Sequence, residues 1–407
     1  MFDRFSHYLS YGSTDQATMR ALWSGFDGLL VPGTIAAFQA EGTRGFVLSL
    51  SAKASVPYVI DPRFPLFQNR LVSPKKSHRM LANLLGAPEL VNQNSIPQAS
   101  DFTPQLVDTV ARNWVDFNTT FEDVKLKTFD KYARRLGESI PVTDSKEPAF
   151  ILPPYVMAET GSDWWRIARS LLDATVARAR EAGVEQKVRP VIATENARSL
   201  DAMLREFASE EVVIWVSNLD EFKPASERAL VEYGLAIRNA SGRGTPTFSL
   251  YGGFFSVLLA RFGLVGASHG IGFGEHRDWI ELPSSGAPPA RFYVERLHRY
   301  VSVDVAMAIW AQFPELISCD CDDCLGRSPG SLDYHELMKH SVRVRTREIE
   351  SWLDLPTDEV VDRLLADAED FSNAAARLRA PASVVRRAED AYEHLFMWVR
   401  VLEAIRA

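Results

Sequence analysis

Short, almost uninterrupted apolar runs alternate with amphipathic segments through the first 300 residues, and this alternation limits the fold more than any other feature. The runs are rich in Val, Ile and Phe, as parallel strands buried on both faces require. Between many of them lie segments such as 164–182, where apolar residues recur close to every 3.6 positions. The pattern predicts parallel βαβ units. In chain order the runs are Gly28–Val31, Phe46–Leu50, Tyr58–Ile60, Ala149–Leu152, Pro190–Ala193, Val212–Val216, Thr247–Tyr251, Leu264–Ala267 and Arg291–Val294.

The number of runs suits a closed (β/α)8 barrel better than an open sheet. We therefore expect an α/β chain with a TIM-like (β/α)8 barrel over residues 1–300. The stretch from about 71 to 147 is longer than one crossover needs and looks helical, so it is expected as an insertion that caps the barrel. Residues 301–350 are expected to form a metal-binding module, and residues 351–407 a helical tail.

Composition excludes some classes of function. The net charge of -8 and the pI near 5.6 have the wrong sign for a general nucleic-acid coat or a membrane-surface binder. A local basic groove remains open, although pairs such as Lys75–Lys76 are typical of solvated surfaces. No apolar run reaches the roughly 20 residues that span a bilayer, and no signal peptide is apparent. The three cysteines form no disulfide framework, which favours a reducing cytoplasm.

All three cysteines lie within six residues, in Cys319-Asp-Cys321-Asp-Asp-Cys324. This spacing directs three sulfurs inward from one loop and leaves a fourth corner for a histidine. His335 and His340 both follow within reach. The pattern predicts a tetrahedral Cys3His site for structural Zn²⁺, with no coordination position left for water.

Glycines and polar residues cluster where the predicted strands end. Gly252-Gly253 follows one strand, and the segment Gly270–Glu275, which includes Gly272, follows the next. Glycines let a ligand approach the backbone closely, although the same pattern also marks a tight strand end without a ligand. Asn218 and several acids occupy similar positions. Since barrel enzymes build their sites at the carboxyl ends of the strands, these residues are candidate ligand-binding groups.

With the cysteine motif near the end of a barrel-like chain, the sequence resembles the tRNA-guanine transglycosylase superfamily. That family combines a TIM barrel with zinc bound through Cys-x-Cys-x-x-Cys and a later histidine. The segment Glu336–His340 is similar to the helix that carries this histidine, so the resemblance favours His340 over His335. Gly270–Glu275 is similar to the loop whose backbone contacts the bound base. Asp61 lies where the family places an Asp-Ser-Gly-Gly-Phe-Gln segment, here Asp-Pro-Arg-Phe-Pro.

The family nucleophile is an aspartate at the end of the last barrel strand. The corresponding run, taken as Arg291–Val294, is followed by Glu295 and His298 and contains no aspartate. Asp61, Glu295 and His298 are therefore the candidate catalytic residues. The chain resembles a divergent member, comparable to DNA 7-deazaguanine transglycosylases or to transglycosylase-like proteins of bacterial antiviral systems. The resemblance implies nucleic acid (DNA or RNA) and a purine or 7-deazapurine base as partners, and a homodimer or protein partner.

Three readings of function remain open. One is base exchange at a guanine of nucleic acid, inserting a 7-deazapurine. The second is a catalytically inactive transglycosylase-like barrel that binds a ligand or a protein, which the acidic charge and the missing aspartate favour. The third is a barrel enzyme of unrelated chemistry, since a fold does not determine a function. A carboxylate beside a pocket at Gly253 and Gly272 favours catalysis, and a pocket plugged by side chains favours a scaffold.

Overall fold

A curled, seven-stranded parallel sheet forms the centre of the molecule. The computed structural model describes residues 4–91, 95–137, 140–272, 275, 277–280 and 290–407. The strand order is β3-β2-β1-β7-β6-β5-β4, so the sheet curls as a half barrel in which the first and last strands of the sheet, in chain order, are neighbours. Its strands are β1 Ser6–Ser10, β2 Gly28–Pro32, β3 Tyr58–Asp61, β4 Val191–Thr194, β5 Val212–Val216, β6 Thr247–Ser249 and β7 Leu264–His269.

Between β3 and β4 the described residues make only isolated β-bridges. Ile151 forms single parallel bridges to Ile60 on one side and Val188 on the other, and Met157 bridges to Ala193. The strand predicted at Ala149–Leu152 is therefore not a regular strand. Pro153 and Pro154 follow directly, and because proline has no backbone N–H it cannot continue a ladder of hydrogen bonds.

Aromatic side chains fill one face of the sheet. Tyr8, Phe150, Tyr155, Trp215 and Phe248 belong to a buried cluster that is separate from the main core. The Tyr8 and Phe248 ring centroids are 5.2 Å apart, and those of Tyr155 and Trp215 are 6.2 Å apart at 90°. Such edge-to-face packing is typical of aromatic cores. The space inside the curled sheet is thus a packed core, and a ligand site has to lie at its rim.

Helices cover the other face. The amphipathic segments predicted around 164–182, 199–207 and 226–238 are confirmed as α7, α8 and α9. The predicted strand Phe46–Leu50 is wrong, because these residues lie within α3, where nearly every side of the helix is buried and periodicity cannot separate helix from strand. The helices up to residue 259 are α1 Gln16–Ala21, α2 Gly33–Phe38, α3 Ala40–Ala54, α4 Lys76–Leu84, α5 Pro104–Thr119, α6 Leu126–Ala133, α7 Asp163–Glu181, α8 Ala197–Leu204, α9 Glu227–Gly242 and α10 Phe254–Leu259.

The run Arg291–Val294 is a strand but not a barrel strand. It forms β8, which pairs antiparallel with β9 (Arg299–Ser302) in a separate hairpin. The expectation that it closes a barrel is therefore wrong, and the strand beside β1 is β7. The remaining helices are α11 Val303–Trp310, α12 Tyr334–Trp352, α13 Thr357–Ala375, α14 Ala382–Glu389 and α15 Glu393–Arg406.

Helix α12 packs against α1, α10 and β8, which places it beside the β1–β7 part of the sheet. The helical tail returns to the body of the molecule through α15, which packs on α9 and α13. There the indole N–H of the buried Trp398 donates to the Glu221 carbonyl at 2.7 Å. Among the described residues, no helix is both long and apolar enough to cross a membrane.

Candidate functional site

Three cysteines and one histidine converge at the start of α12. The sulfurs of Cys319, Cys321 and Cys324 and a ring nitrogen of His340 all lie within 4.8 Å of one another. The His340 Nδ1 is 3.2 Å from the Cys324 sulfur and 3.6 Å from the Cys321 sulfur. Tetrahedral bonds of about 2.3 Å to sulfur and 2.0–2.1 Å to nitrogen would put those atoms about 3.6 Å apart. The four residues predicted as ligands therefore could hold a metal ion, whereas His335 is exposed and meets the Tyr334 ring edge-to-face.

The surroundings of His340 fix which nitrogen faces the cysteines. Its Nε2 donates to the Tyr293 carbonyl at 2.7 Å, and its ring stacks on Phe292 at 4.4 Å between centroids. With the proton on Nε2, the lone pair of Nδ1 is free for a metal. Although burial opposes it, hydrogen bonds to Cys319 and Cys321 raise the pKa of His340 to about 9. The cluster thus favours a positive charge at its centre.

The aspartates between the cysteines attach the loop to α12. Basic residues at positions 339, 343 and 347 recur every fourth residue along that helix. Arg343 Nε donates to Asp323 at 2.7 Å, and Arg347 Nη1 lies 3.2 Å from Asp320. The Arg347–Asp320 pair is largely exposed, so it contributes little by itself, whereas the Asp323 side chain of the other pair is mostly buried. Together they hold the cysteine loop in register with the histidine of the same helix.

Asp61, at the carboxyl end of β3, is fully buried at the rim of the sheet. Its Oδ1 accepts hydrogen bonds from the Arg63 backbone N–H at 2.9 Å and the Tyr155 hydroxyl at 2.8 Å. Its Oδ2 accepts from the Tyr251 hydroxyl at 2.5 Å and forms an ion pair with Arg63 Nε at 3.0 Å. Burial, reinforced by Asp61, raises the pKa of Tyr155 well above its usual value. The tyrosine therefore keeps its proton and acts as a donor to the carboxylate.

Aromatic and cationic groups surround this carboxylate. The guanidinium groups of Arg63 and Arg277 each lie 5.7 Å from the Tyr251 ring centroid. The Trp215 ring meets Tyr251 edge-on at 5.1 Å, and its N–H donates to the Arg277 carbonyl at 3.2 Å. Asn69 donates to the carbonyl of Trp279 at 3.2 Å. We call Asp61, Arg63, Tyr155, Tyr251 and Arg277 the Asp61 cluster.

The structure brings neither Glu295 nor His298 into the Asp61 cluster. Glu295 lies in the turn between β8 and β9 and pairs with Arg347 beside the cysteine loop. His298 is buried with a φ of +53°, stacks on Phe254 at 3.7 Å and pairs with Glu348 at 2.7 Å. Within the described residues, no contact joins either side chain to Asp61. Both lie in the interface between the hairpin and the C-terminal helices.

The ligand-binding candidates occupy two different environments. Asn218 is exposed directly after β5, with a φ of +60°. Gly252 and Gly270 lie in strand-end backbone, where the Gly252 N–H donates to the Ser268 carbonyl and the Gly270 carbonyl contacts the His269 ring. Gly272 donates to the Tyr300 hydroxyl at 3.1 Å. Phe273, Gly274 and His276 of the predicted loop lie outside the described residues.

Glu221 and Glu275 form a buried acidic pair beside Gly253. The Gly253 N–H donates to Glu221 at 3.3 Å, and a Cβ at this glycine would overlap Glu221 Oε1 and lie 3.0 Å from Glu275 Oε1. Glycine is therefore required where the two carboxyl groups meet. They border a cavity of about 20 Å³, the size of one water, that Tyr251 also lines. Burial and then the charge of Glu275 raise the pKa of Glu221 well above its usual value. A carboxylate thus lies beside Gly253, but the space is closed.

A fully buried arginine connects this acid pair to the hairpin. Arg345 Nη2 donates to Glu275 at 2.6 Å and lies 2.8 Å from the Tyr293 hydroxyl. Its Nε donates to Glu348 at 3.1 Å, and Glu348 also contacts His298. A second buried pair lies nearby, where the Nε2 atoms of His7 and His269 are 2.6 Å apart. This network joins β1, β7, the hairpin and α12 in one polar core.

Sequence reasoning missed the groups that surround its candidates. Tyr155 follows one predicted strand run and Tyr251 ends another, so their position was the available signal. Arg345 and Glu348 interrupt the apolar stripe of α12, and charges on a buried helix face indicate a buried ion pair. Nothing in the sequence marked Glu221 as a site residue, because acidic residues are common in loops.

Comparison with known proteins adds no assignment: neither the protein-family models nor the curated proteins contain a match to this chain.

Proposed function

We propose that this chain is a transglycosylase-like zinc protein that binds a purine or 7-deazapurine base at the Asp61 cluster and exchanges it for guanine in nucleic acid, within a DNA-modification or antiviral system. The observation that supports the proposal is the Asp61 carboxylate itself. It is buried at the carboxyl end of a parallel strand, among tyrosine hydroxyls and aromatic rings. Barrel enzymes place their reacting groups at this end of their strands.

The chemistry requires one carboxylate oxygen at C1′ of the nucleotide. Asp61 Oδ2 attacks C1′ while the bond from C1′ to guanine N9 breaks. The electron pair of the broken bond leaves with guanine, which takes up a proton. The incoming base then attacks C1′ through N9, loses its N9 proton and restores the carboxylate. Tyr251 holds Oδ2 in the resting state at 2.5 Å. We infer that a bound base displaces this hydroxyl, because a carboxylate has about four acceptor positions and those of Asp61 are occupied.

The proposal also includes two structural details, namely the segment that completes the half barrel and the identity of the metal. We propose that residues 149–158 take the place of the missing eighth strand, since bridges through Ile151 and Met157 link that segment to both edges of the sheet. We also propose that the metal is zinc. Three thiolates and an imidazole in tetrahedral spacing form a donor set that Zn²⁺ prefers, and four protein ligands make a structural rather than a catalytic site.

Trapping of a covalent adduct tests the activity. Intact-mass spectrometry of the protein with guanine-containing DNA and RNA is expected to show a glycosyl adduct that Asp61→Asn abolishes. Glu295→Gln is the matched control, because that acid pairs with Arg347 outside the Asp61 cluster, and it is expected to keep the adduct. An adduct that survives in Asp61→Asn, or one lost in Glu295→Gln alone, would contradict the assignment of Asp61.

A second candidate is a catalytically silent binding component. The saturated hydrogen bonding of Asp61 and the closed cavity at Gly253 favour it. In that case guanine or a 7-deazaguanine is expected to raise the melting temperature of the wild-type protein without any adduct, and Asp61→Asn is expected to remove the shift. An adduct in the wild-type protein would exclude this candidate.

A further inference from the structure

An acid-free basic segment follows Asp61. Residues 62–88 contain five Lys or Arg and no Asp or Glu. With 53 acidic residues in 407, a stretch of this length would carry about three or four. The segment leaves the rim of the sheet at β3 and continues into α4. In an acidic protein, such a local reversal of charge indicates a surface for an anionic partner.

Four of these basic side chains are exposed together with apolar groups. Arg70, Lys75, Lys76 and Arg79 are all exposed, and within the described residues no acidic side chain forms an ion pair with Arg70, Lys76 or Arg79. Three exposed apolar residues lie among them: Phe38 is 40% exposed, Val72 81% and Met80 38%. We call this set the α4 surface.

Contacts join the α4 surface into one unit. Helices α2 and α4 pack together, and the Lys76 ammonium lies 5.6 Å from the Phe38 ring centroid. One edge of the surface reaches the rim, because Asn69, which precedes Arg70, donates to the Trp279 carbonyl. The exposed aromatic ring and the cations therefore continue outward from the Asp61 cluster.

The charges at the start of α4 also run against local helix stability. The first turn of α4 has no acidic residue, Lys75 occupies its N-cap position and Lys76 begins the helix. Cations are unfavourable at a helix N-terminus, where the dipole is positive. The buried His78 accepts the Lys75 N–H at 3.3 Å in place of a capping acid. A local cost of this kind is expected where a function requires it.

We propose that the α4 surface binds the phosphate backbone of a single-stranded nucleic-acid segment, with one base stacked on Phe38 and a neighbouring nucleotide directed to the Asp61 cluster. This inference rests on the proposed function, whose substrate it defines as single-stranded. Phosphate contacts by Lys and Arg supply affinity, and an exposed aromatic ring supplies sequence-tolerant stacking.

Fluorescence anisotropy with a fluorescein-labelled 20-nucleotide single strand, as DNA and as RNA, tests the proposal over a range of NaCl concentrations. Lys76→Gln with Arg79→Gln is expected to reduce the slope of log affinity against log salt by about 1.4, which is about a 25-fold loss near 0.1 M salt. The control is Lys125→Gln with Lys127→Gln. These exposed lysines also lie at the start of a helix, α6, and form no ion pair within the described residues, so their removal is expected to leave the affinity unchanged.

Phe38→Ala separates stacking from charge. It is expected to weaken binding by about fivefold or more without changing the salt slope. Three results would overturn the proposal. They are no binding by the wild-type protein, an equal loss of affinity in the Lys76/Arg79 variant and the Lys125/Lys127 control, or displacement of the strand by poly-glutamate at equal charge concentration. Because binding requires no reaction, a wild-type protein that binds through the α4 surface but forms no adduct would reject the proposed activity and leave this surface assignment standing.

Discussion

Replacement of Arg345 by methionine tests whether the polar core between α12 and the sheet is an electrostatic unit. Arg345 is 2% exposed and contacts Glu275 at 2.6 Å and Glu348 at 3.1 Å. Methionine has a similar apolar length but leaves both carboxyl groups without their cation. Removing one partner of a buried ion pair typically costs about 3–5 kcal/mol, because a buried charge is left uncompensated.

The size of the expected change in melting temperature follows from the length of the chain. An unfolding entropy of about 2.1 cal/mol/K per residue amounts to about 0.85 kcal/mol/K for 407 residues. The loss then corresponds to a decrease of about 4–6 °C, measurable by calorimetry at pH 7.5. At pH 4.5 we expect a smaller decrease, because burial raises the pKa of Glu275, which can then take up a proton and lose its charge.

Arg347→Met is the matched control, two residues along the same helix. Arg347 is 42% exposed and pairs with Glu295 near the surface, where an ion pair contributes at most about 1 kcal/mol. We expect its loss to lower the melting temperature by about 1 °C or less. If the two variants melt at the same temperature, or if the effect of Arg345→Met does not shrink at pH 4.5, the electrostatic account of this core is refuted.

Three further predictions concern the metal group, the buried acid Glu221 and a glycine with a positive φ angle. Cys324→Ser is expected to remove the bound metal and lower the melting temperature, since metal binding and folding are coupled; elemental analysis that finds one metal per chain would contradict this. The folded-state pKa of Glu221 is raised, so the contribution of Glu221 to wild-type stability should fall as pH rises above the unfolded pKa of about 4.3. Glu221→Gln should flatten this fall and melt higher at pH 8, and an unchanged pH profile would count against it. Gly272→Ala should destabilise the protein more than Gly137→Ala. Both glycines have φ near +80°, where an alanine costs about 1–2 kcal/mol. Only at Gly272 would the new Cβ also meet a methionine sulfur, at 2.5 Å. Equal losses in chemical denaturation would contradict the steric part.

Local chemistry determined much of this protein. The spacing Cys319-x-Cys321-x-x-Cys324 places three sulfurs in one tight loop, and in the structure that loop and His340 form a group that could hold a metal ion. Near-continuous apolar runs predicted parallel strands because both faces of the sheet are covered, and six of the seven strands of the sheet match predicted runs. The exception is β1, Ser6–Ser10, which the sequence analysis did not predict because it is not an apolar run. Asp61 became a candidate through the family resemblance, and the structure places it at the carboxyl end of β3, at the rim of the sheet.

Only the tertiary structure decided which of these elements are neighbours. The run Arg291–Val294 has the composition of a core strand, but its partner is β9, because pairing depends on what the chain meets after folding. Helices and sheet enclose Phe46–Leu50, so the helix is buried on all sides there. Burial from all directions removes the periodicity of apolar residues that separates a helix from a strand. The two tyrosine hydroxyls that donate to Asp61 come from positions 94 and 190 residues away. Such long-range contacts leave no local spacing to read, so the closure of this site is a property of the fold rather than of any one segment.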